Sequence, residues 1–387
     1  MNDMNWVPLH PQPTPQPPPL PPTPASFAGE RGDFIRLAAR GAALELVTAG
    51  FYRFWLATDI RRHLWANSVI DGDAAEYTGR GKELLIGFLF AMAILVPIYL
   101  AYFLITVEAE RLKGFASFPL ILAFYAFGQF AIYRARRYRL TRTVWRGVRF
   151  WMDGSGWAYA WRAILWGALT AVTLGFALPW REAALERYKM RHSWYGDLKG
   201  DFEGTGKEFF KRAWGLWVLT PFALVLFPAF PFVYAYFKAI EWRWWLSGIR
   251  VGDVRLESKL PRDALVGVYW QVIGWYFLAS FAIGIYFAIC GAIIAAFQGG
   301  FHAAAGAAPP DLAKNIPFII MAAIGYLGLI LSLNVILRVY LLRDVWARVL
   351  QSVQVHNIGA AANVTAKGKL ASALGEGFAD GLDIAGF

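Results

Sequence analysis

The sequence has one cysteine, Cys290, five scattered histidines and few charges, and each scarcity removes a class of function. A lone thiol in an apolar run forms no intramolecular disulfide and, with no base beside it, makes a poor nucleophile. His10, His63, His192, His302 and His356 never fall at a metal-protease spacing. No metal, no cofactor and no enzymatic activity is expected. Charged residues are 17% of the 387 and hydrophobic ones 57%, too apolar a balance for a soluble domain of ordinary proportions. The chain is therefore expected to lie in a membrane.

Four uncharged stretches, Leu84 to Thr106, Phe115 to Tyr133, Val266 to Phe297 and Ile316 to Leu337, are long enough to cross a bilayer core of about 30 Å at about 1.5 Å per helical residue. The net charge of +11 fits retention of cytoplasmic loops better than nucleic-acid binding. Arg134, Arg136, Arg137 and Arg139 follow a span directly and alternate with Tyr133 and Tyr138, as residues at the headgroup level do. The weakly charged connections Glu108 to Gly114 and Gly299 to Asn315 are expected to face outward. Membrane lipids are the expected partners, nucleic acid is not, and a protein partner or a homo-oligomer is left open. Residues 1–26 read as a proline-rich, extended cytoplasmic tether rather than a basic-then-apolar leader, and 371–387 as a flexible tail.

One block of sequence occurs twice at a constant offset. Thr48, Gly50, Phe51, Trp55, Arg62, Ser68, Gly79, Gly81, Lys82 and Glu83 recur in order as Thr173, Gly175, Phe176, Trp180, Arg187, Ser193, Gly204, Gly206, Lys207 and Glu208. The identities need no gap, so duplication explains them better than chance. Membrane repeats are assigned to 27–156 and 157–370, the second with an added helix pair.

Each block opens on an apolar stretch too short to cross comfortably, Ile35 to Val47 and Trp161 to Val172, followed by Thr-x-Gly-Phe. A re-entrant or interfacial helical hairpin turning at Gly50 and Gly175 keeps the basic segments on one side; two full crossings are the alternative. An aromatic-then-basic helix comes next, carrying Arg61 and Arg62 in one copy and Arg187 and Lys189 in the other. With Arg136 and Arg137, these residues are expected to form a lipid-headgroup or cytoplasmic basic face.

Asp71-Gly72, Asp153-Gly154, Gly196-Asp197 and Gly252-Asp253 read as turns of small cytoplasmic β-hairpins, and Arg343 to Lys369 as a fifth unit without a turn. Gly79 and Gly204 open Gly-x-Gly-Lys-Glu, which lacks the spacing and the Lys-Ser/Thr of a phosphate loop. It reads instead as a structural turn leading into a helix. Phe209 to Trp245, broken by Pro221, Pro228 and Pro231, reads as two tilted crossings. The expected fold is thus an all-α polytopic protein of about six transmembrane helices, with two short re-entrant or interfacial hairpins, small β-hairpins and an internal duplication.

The run from Thr48-Ala49-Gly50-Phe51 through Trp55, Arg61-Arg62, Asn67, Asp71-Gly72 and Tyr77-Thr78-Gly79 resembles the YjgN-like family of bacterial inner-membrane proteins, a domain of unknown function. The resemblance covers roughly 27–369. The second block departs from the first where Ala177-Leu178-Pro179 replaces Tyr52-Arg53-Phe54. The resemblance implies an inner-membrane location in a Gram-negative bacterium and brings no catalytic residues; the N-terminus is expected on the cytoplasmic side from the placement of Lys and Arg.

Ionisable groups in apolar stretches are costly and point to function. Glu45 and Arg162 occupy the two short stretches and are the candidate intramembrane polar site; Gln271, Asn334 and Arg338 are weaker candidates. Broken half-helices with such charges suit a small-solute conduit or transporter. The alternative is a membrane-anchored scaffold that binds anionic lipid or partner proteins through its basic units.

Overall fold

The computed structural model describes residues 21–108, 113–225, 230–297, 316–368 and 370–372. Ten short strands close into one antiparallel barrel in the order β1-β10-β9-β8-β7-β6-β5-β4-β3-β2. They are β1 (Thr23–Phe27), β2 (Ser68–Ile70), β3 (Asp73–Tyr77), β4 (Thr143–Trp145), β5 (Val148–Met152), β6 (Ser193–Tyr195), β7 (Leu198–Phe202), β8 (Ile249–Val251), β9 (Val254–Ser258) and β10 (Val353–His356). Four two-residue turns join consecutive strands, closing on Ile70 and Asp73, Trp145 and Val148, Tyr195 and Leu198, and Val251 and Val254. Tight hairpins of this length need positive φ. Asp71-Gly72 and Arg146-Gly147 supply it at both residues, and Gly196 and Gly252 at the first. The fifth pair, β1 with β10, is brought together from the two ends of the barrel-forming chain.

Every strand continues into helix at the end opposite its turn. The helices are α1 (Arg31–Val47), α2 (Arg53–Ala66), α3 (Gly81–Glu108), α4 (Lys113–Thr141), α5 (Gly156–Val172), α6 (Leu178–Arg191), α7 (Gly206–Val225), α8 (Phe230–Gly248), α9 (Val266–Phe297), α10 (Ile316–Leu337) and α11 (Val345–Gln351). A π-helical segment, Arg338–Asp344, links the last two. All helices therefore leave one end of the barrel. The main core lies at that junction, where Phe34, Leu56, Leu64, Phe202, Phe209, Trp244, Leu265 and Val349 pack together.

This architecture corrects the expected fold class. The chain is not an all-α protein of about six membrane helices with isolated β-hairpins. Among the described residues three helices are long and apolar enough to cross a membrane: Gly81–Leu104, Val266–Ile293 and Ile316–Gln351. Helix α4 and the pair α7 and α8, expected as crossings, are not among them. The hairpins merge because a free strand edge leaves peptide groups unpaired, and ring closure removes every edge.

The turn expected at Asp153-Gly154 is instead the exit from β5, and the real turn of that hairpin is Arg146-Gly147. The tether expected to run through residue 26 overlaps strand β1. Residues 1–20, the two connections expected to face outward (largely 109–112 and 298–315) and most of the tail lie outside the described residues.

Candidate functional site

The residues shared by the two sequence blocks sit in matching geometry. At each helical-hairpin turn a threonine donates back to its own helix, Thr48 to the Leu44 carbonyl at 2.7 Å and Thr173 to Leu169 at 2.8 Å. The same oxygens accept from the amides of Tyr52 and Ala177 at 2.9 and 3.1 Å. Gly50 and Gly175 then take φ of +88° and +92°, a conformation that costs a side chain with Cβ. Downstream, Arg62 donates to the Gly79 carbonyl at 2.7 Å and Arg187 to that of Gly204 at 3.0 Å. Each arginine thereby ties its helix to the exit of its β-hairpin.

The second glycine of each exit is a point of close approach. A Cβ on Gly81 would lie 2.8 Å from the Trp55 backbone, and one on Gly206 2.7 Å from that of Trp180. Gly-x-Gly-Lys-Glu is thus a helix-packing device.

Beneath the barrel the bundle holds a polar layer. Glu186 on α6 is 8% exposed and accepts from Arg136 of α4 at 2.9 Å, while Lys189 pairs with its other oxygen. Arg136 also lies 5.9 Å from the Trp245 ring, and Lys189 lies over Tyr159 at 5.9 Å. Burial opposes ionisation of Glu186, yet the two cations outweigh it and hold the carboxyl at about 2. One turn earlier, burial raises the carboxyl of Glu182, and the adjacent Arg181 only partly offsets this.

In the first block Arg61, 3% exposed, donates to the Tyr77 hydroxyl at 3.3 Å. At the barrel base Glu83 takes Tyr138 at 2.7 Å and Arg142 at 2.9 Å. Each of these groups meets a partner on another element or turn, so the layer pins helices together.

Arg61, Arg136 and Lys189 are thus turned inward, away from the lipid-headgroup or cytoplasmic face expected for them. Arg62 is exposed and pairs with Asp59 at 3.2 Å, whereas Arg137 and Arg187 are half-buried. Glu186 had no distinguishing signal beyond a lysine three residues on.

Glu45 and Arg162 are not brought together. Arg162 is exposed, donates to the Ala158 carbonyl at 2.9 Å and covers the Tyr188 ring at 4.5 Å. Glu45, three residues before the turn region of its hairpin, pairs instead with Arg338 at 2.8 Å. Arg338 opens the π-helical segment, a distortion found often at functional sites. Next to it Tyr340 accepts from the Trp275 indole at 2.7 Å, and Arg31 covers its ring at 4.7 Å while pairing with Asp344 at 3.1 Å. Arg343 donates to the Gly29 carbonyl at 2.6 Å. The seam therefore fastens α1 to the last apolar helix at several points.

Among the described residues no group of three or more His, Cys, Asp or Glu side chains could hold a metal. Comparison with curated proteins and with solved structures returned no match in either case. A family described as "Bacterial protein of unknown function (DUF898)" matches residues 22–220 and again residues 211–381. With three helices able to cross a membrane and nearly the whole described chain inside those two matches, this protein belongs to the DUF898 family of bacterial proteins of unknown function.

Proposed function

We propose that the chain is a multi-pass protein of the bacterial inner membrane that stands its strand barrel on the cytoplasmic face and binds anionic lipid headgroups around the barrel's base. It is a membrane-anchored platform, neither an enzyme nor a nucleic-acid binder. The observation that carries this reading is the polarity of the molecule along the helices. At the barrel junction Arg80, Lys82, Lys207, Lys211 and Arg262 are exposed. At the far ends of the short hairpins Val47 and Val172 are each 82% exposed and Leu174 89%. Basic side chains at a headgroup-level collar and bare apolar side chains beyond it match the bias of Lys and Arg toward the cytoplasmic surface. Because β1 is part of the barrel, the N-terminal side of the chain shares that face.

Impermeant maleimide labelling on a Cys290→Ser background, with single cysteines at Gly72, Asp253 and Leu174, tests the arrangement. Gly72→Cys and Asp253→Cys should react in inverted vesicles and not in intact spheroplasts, and Leu174→Cys in neither. Reaction of the turn cysteines from outside would reverse the orientation, and reaction of Leu174→Cys from outside would make the hairpin a full crossing. Lipid specificity is read by native mass spectrometry, where Lys82→Glu with Lys207→Glu should lower retention of anionic over zwitterionic lipid.

A small-solute conduit is the second reading, favoured by one observation: the Glu45–Arg338 pair at a π-helical break in an apolar helix. Ion flux into proteoliposomes that changes with Glu45→Gln would support it; flux equal to protein-free liposomes would remove it.

A further inference from the structure

The turn end of the barrel carries an apolar surface that is covered by the chain's own C-terminal segment. The closing pairs of three hairpins, Trp145 with Val148, Tyr195 with Leu198 and Val251 with Val254, all face the barrel axis and converge there. A ring of about eight strands leaves an interior that its own side chains just fill, and ten strands leave more. The extra space is taken by Ile358, Ala361 and Val364, at intervals of three residues beyond β10.

This segment leaves the barrel wall at Asn357, whose φ of +56° lies in the left-handed region that asparagine tolerates, and turns through the short 3₁₀ helix Ile358–Ala361. It then passes over the rim, where the Thr365 amide donates to Asp197 at 3.1 Å. From there it descends past Trp151, against which Gly368 sits too closely for a Cβ, to Ala371, whose carbonyl accepts from Arg142 at 3.3 Å. Its attachment differs in kind from that of β10, which is paired residue by residue with β9 and with β1. Ala362, Asn363 and Thr365 to Gly368 are exposed, so side-chain anchors and scattered polar contacts hold the segment.

We propose that residues 357–368 form a releasable strap, which masks a site on the barrel's turn end for a peptide segment that enters through a 3₁₀ turn and presents apolar side chains three residues apart. The strap occupies that site in cis, and a partner protein's segment of the same chemistry gains it when the strap lifts. The aromatic floor of Trp145, Phe150 and Tyr195 gives the site its depth, and the short spacing of the anchors sets its selectivity.

Two measurements on the full chain in detergent test this. In hydrogen exchange on the wild-type protein, the amides of Val364, Thr365 and Gly368 should exchange at least about a hundredfold faster than those of Val353 and Val355 in β10, because lifting the strap is a local opening. Equal protection would make the segment part of the barrel wall and overturn the proposal. In the second, a fluorescent peptide of residues 357–368 is titrated into wild type, Val364→Asp and Gly368→Val. Either variant loosens the strap, the first at an anchor and the second where a Cβ meets Trp151 at a φ of +106°. The peptide should bind a variant about tenfold or more tighter than wild type, and a Val364→Asp peptide should not bind. Equal binding to all three proteins, or none to any, would overturn the proposal, as would loss of near-ultraviolet dichroism in both variants.

Discussion

The two blocks that share the glycine turns and the arginine clamps carry opposite charges at a matching buried helix position, where Arg61 in the first corresponds to Glu186 in the second. The backbone around the position is the same: a short helix, a two-residue hairpin and an exit through paired glycines. The charge is opposite. Arg61 is met by the hydroxyl and ring of Tyr77 within its own block, whereas Glu186 is met by Lys189 and, across the bundle, by Arg136 of α4. The scaffold residues set the shape, and the buried charge adds a tie particular to each block. The buried charge of the second block reaches a long helix from elsewhere, whereas the first block meets that helix at its exit, where Glu83 takes Tyr138 and Arg142.

The strongest way to break this contrast is to delete the charge in the second block. Glu186→Ala leaves Arg136 and Lys189 facing each other without an anion, and should destabilise the protein by about 3–5 kcal/mol in detergent unfolding. Arg61→Leu, which removes a hydrogen bond to the neutral Tyr77 hydroxyl, should lose only about 1–2 kcal/mol. Equal losses would mean that the two positions do the same work.

Acid gives the same comparison without mutation. The folded carboxyl of Glu186 lies at about 2, below its ordinary value of 4.5, so its contribution is fully present above pH 4.5 and is lost as pH falls through 2. The loss should be on the order of 3 kcal/mol, and the dependence should be much weaker in Glu186→Gln. A wild-type acid profile unchanged by that substitution would remove the ion network from the stability of the second block.

A third comparison asks for equality. Gly81→Ala and Gly206→Ala each place a methyl group against a tryptophan backbone, and each should lower stability by about 1–3 kcal/mol, to a similar degree, since the close approach is the same in both blocks. Smallest is the effect at the hairpin tips. Gly50→Ala and Gly175→Ala should each lower stability by about 1 kcal/mol by forcing a Cβ into the left-handed region. A large change in either would show that the tip packs against something beyond its own turn.

The spacing of Thr-x-Gly-Phe and Gly-x-Gly-Lys-Glu made the helical hairpins and the hairpin exits legible, because tight turns and close approaches constrain residue type locally. Closure of the barrel was not legible. Strands of three to five residues carry little periodicity, and β1, Thr-Pro-Ala-Ser-Phe, sits at the end of a proline-rich run that masks it. Arg146-Gly147 was hidden because arginine is an unusual first residue for such a turn; here Asp71 and Asp73 hold its guanidinium.

The polar site was half legible. Glu45 stood out as a charge in an apolar stretch, but its partner lay 293 residues away and no local pattern could choose Arg338 over Arg162. The inward turn of Arg61, Arg136 and Lys189 was hidden for the same reason. Composition sees a basic residue near a membrane, and only the tertiary arrangement says which side of its helix is the inside.

The pairing of β1 with β10 fixes an order of events during biosynthesis. Strand β10 is made about 330 residues after β1, so the ring stays open until β10 has left the ribosome. Through that interval β1 and each newly made terminal hairpin present an unpaired edge, and the loop that finally closes takes in every other strand of the barrel. The helices meanwhile emerge one hairpin at a time and can be placed in the bilayer before the barrel exists. Ring closure is then the last step of assembly, and a chain that stops short of residue 353 leaves two open edges beside the membrane.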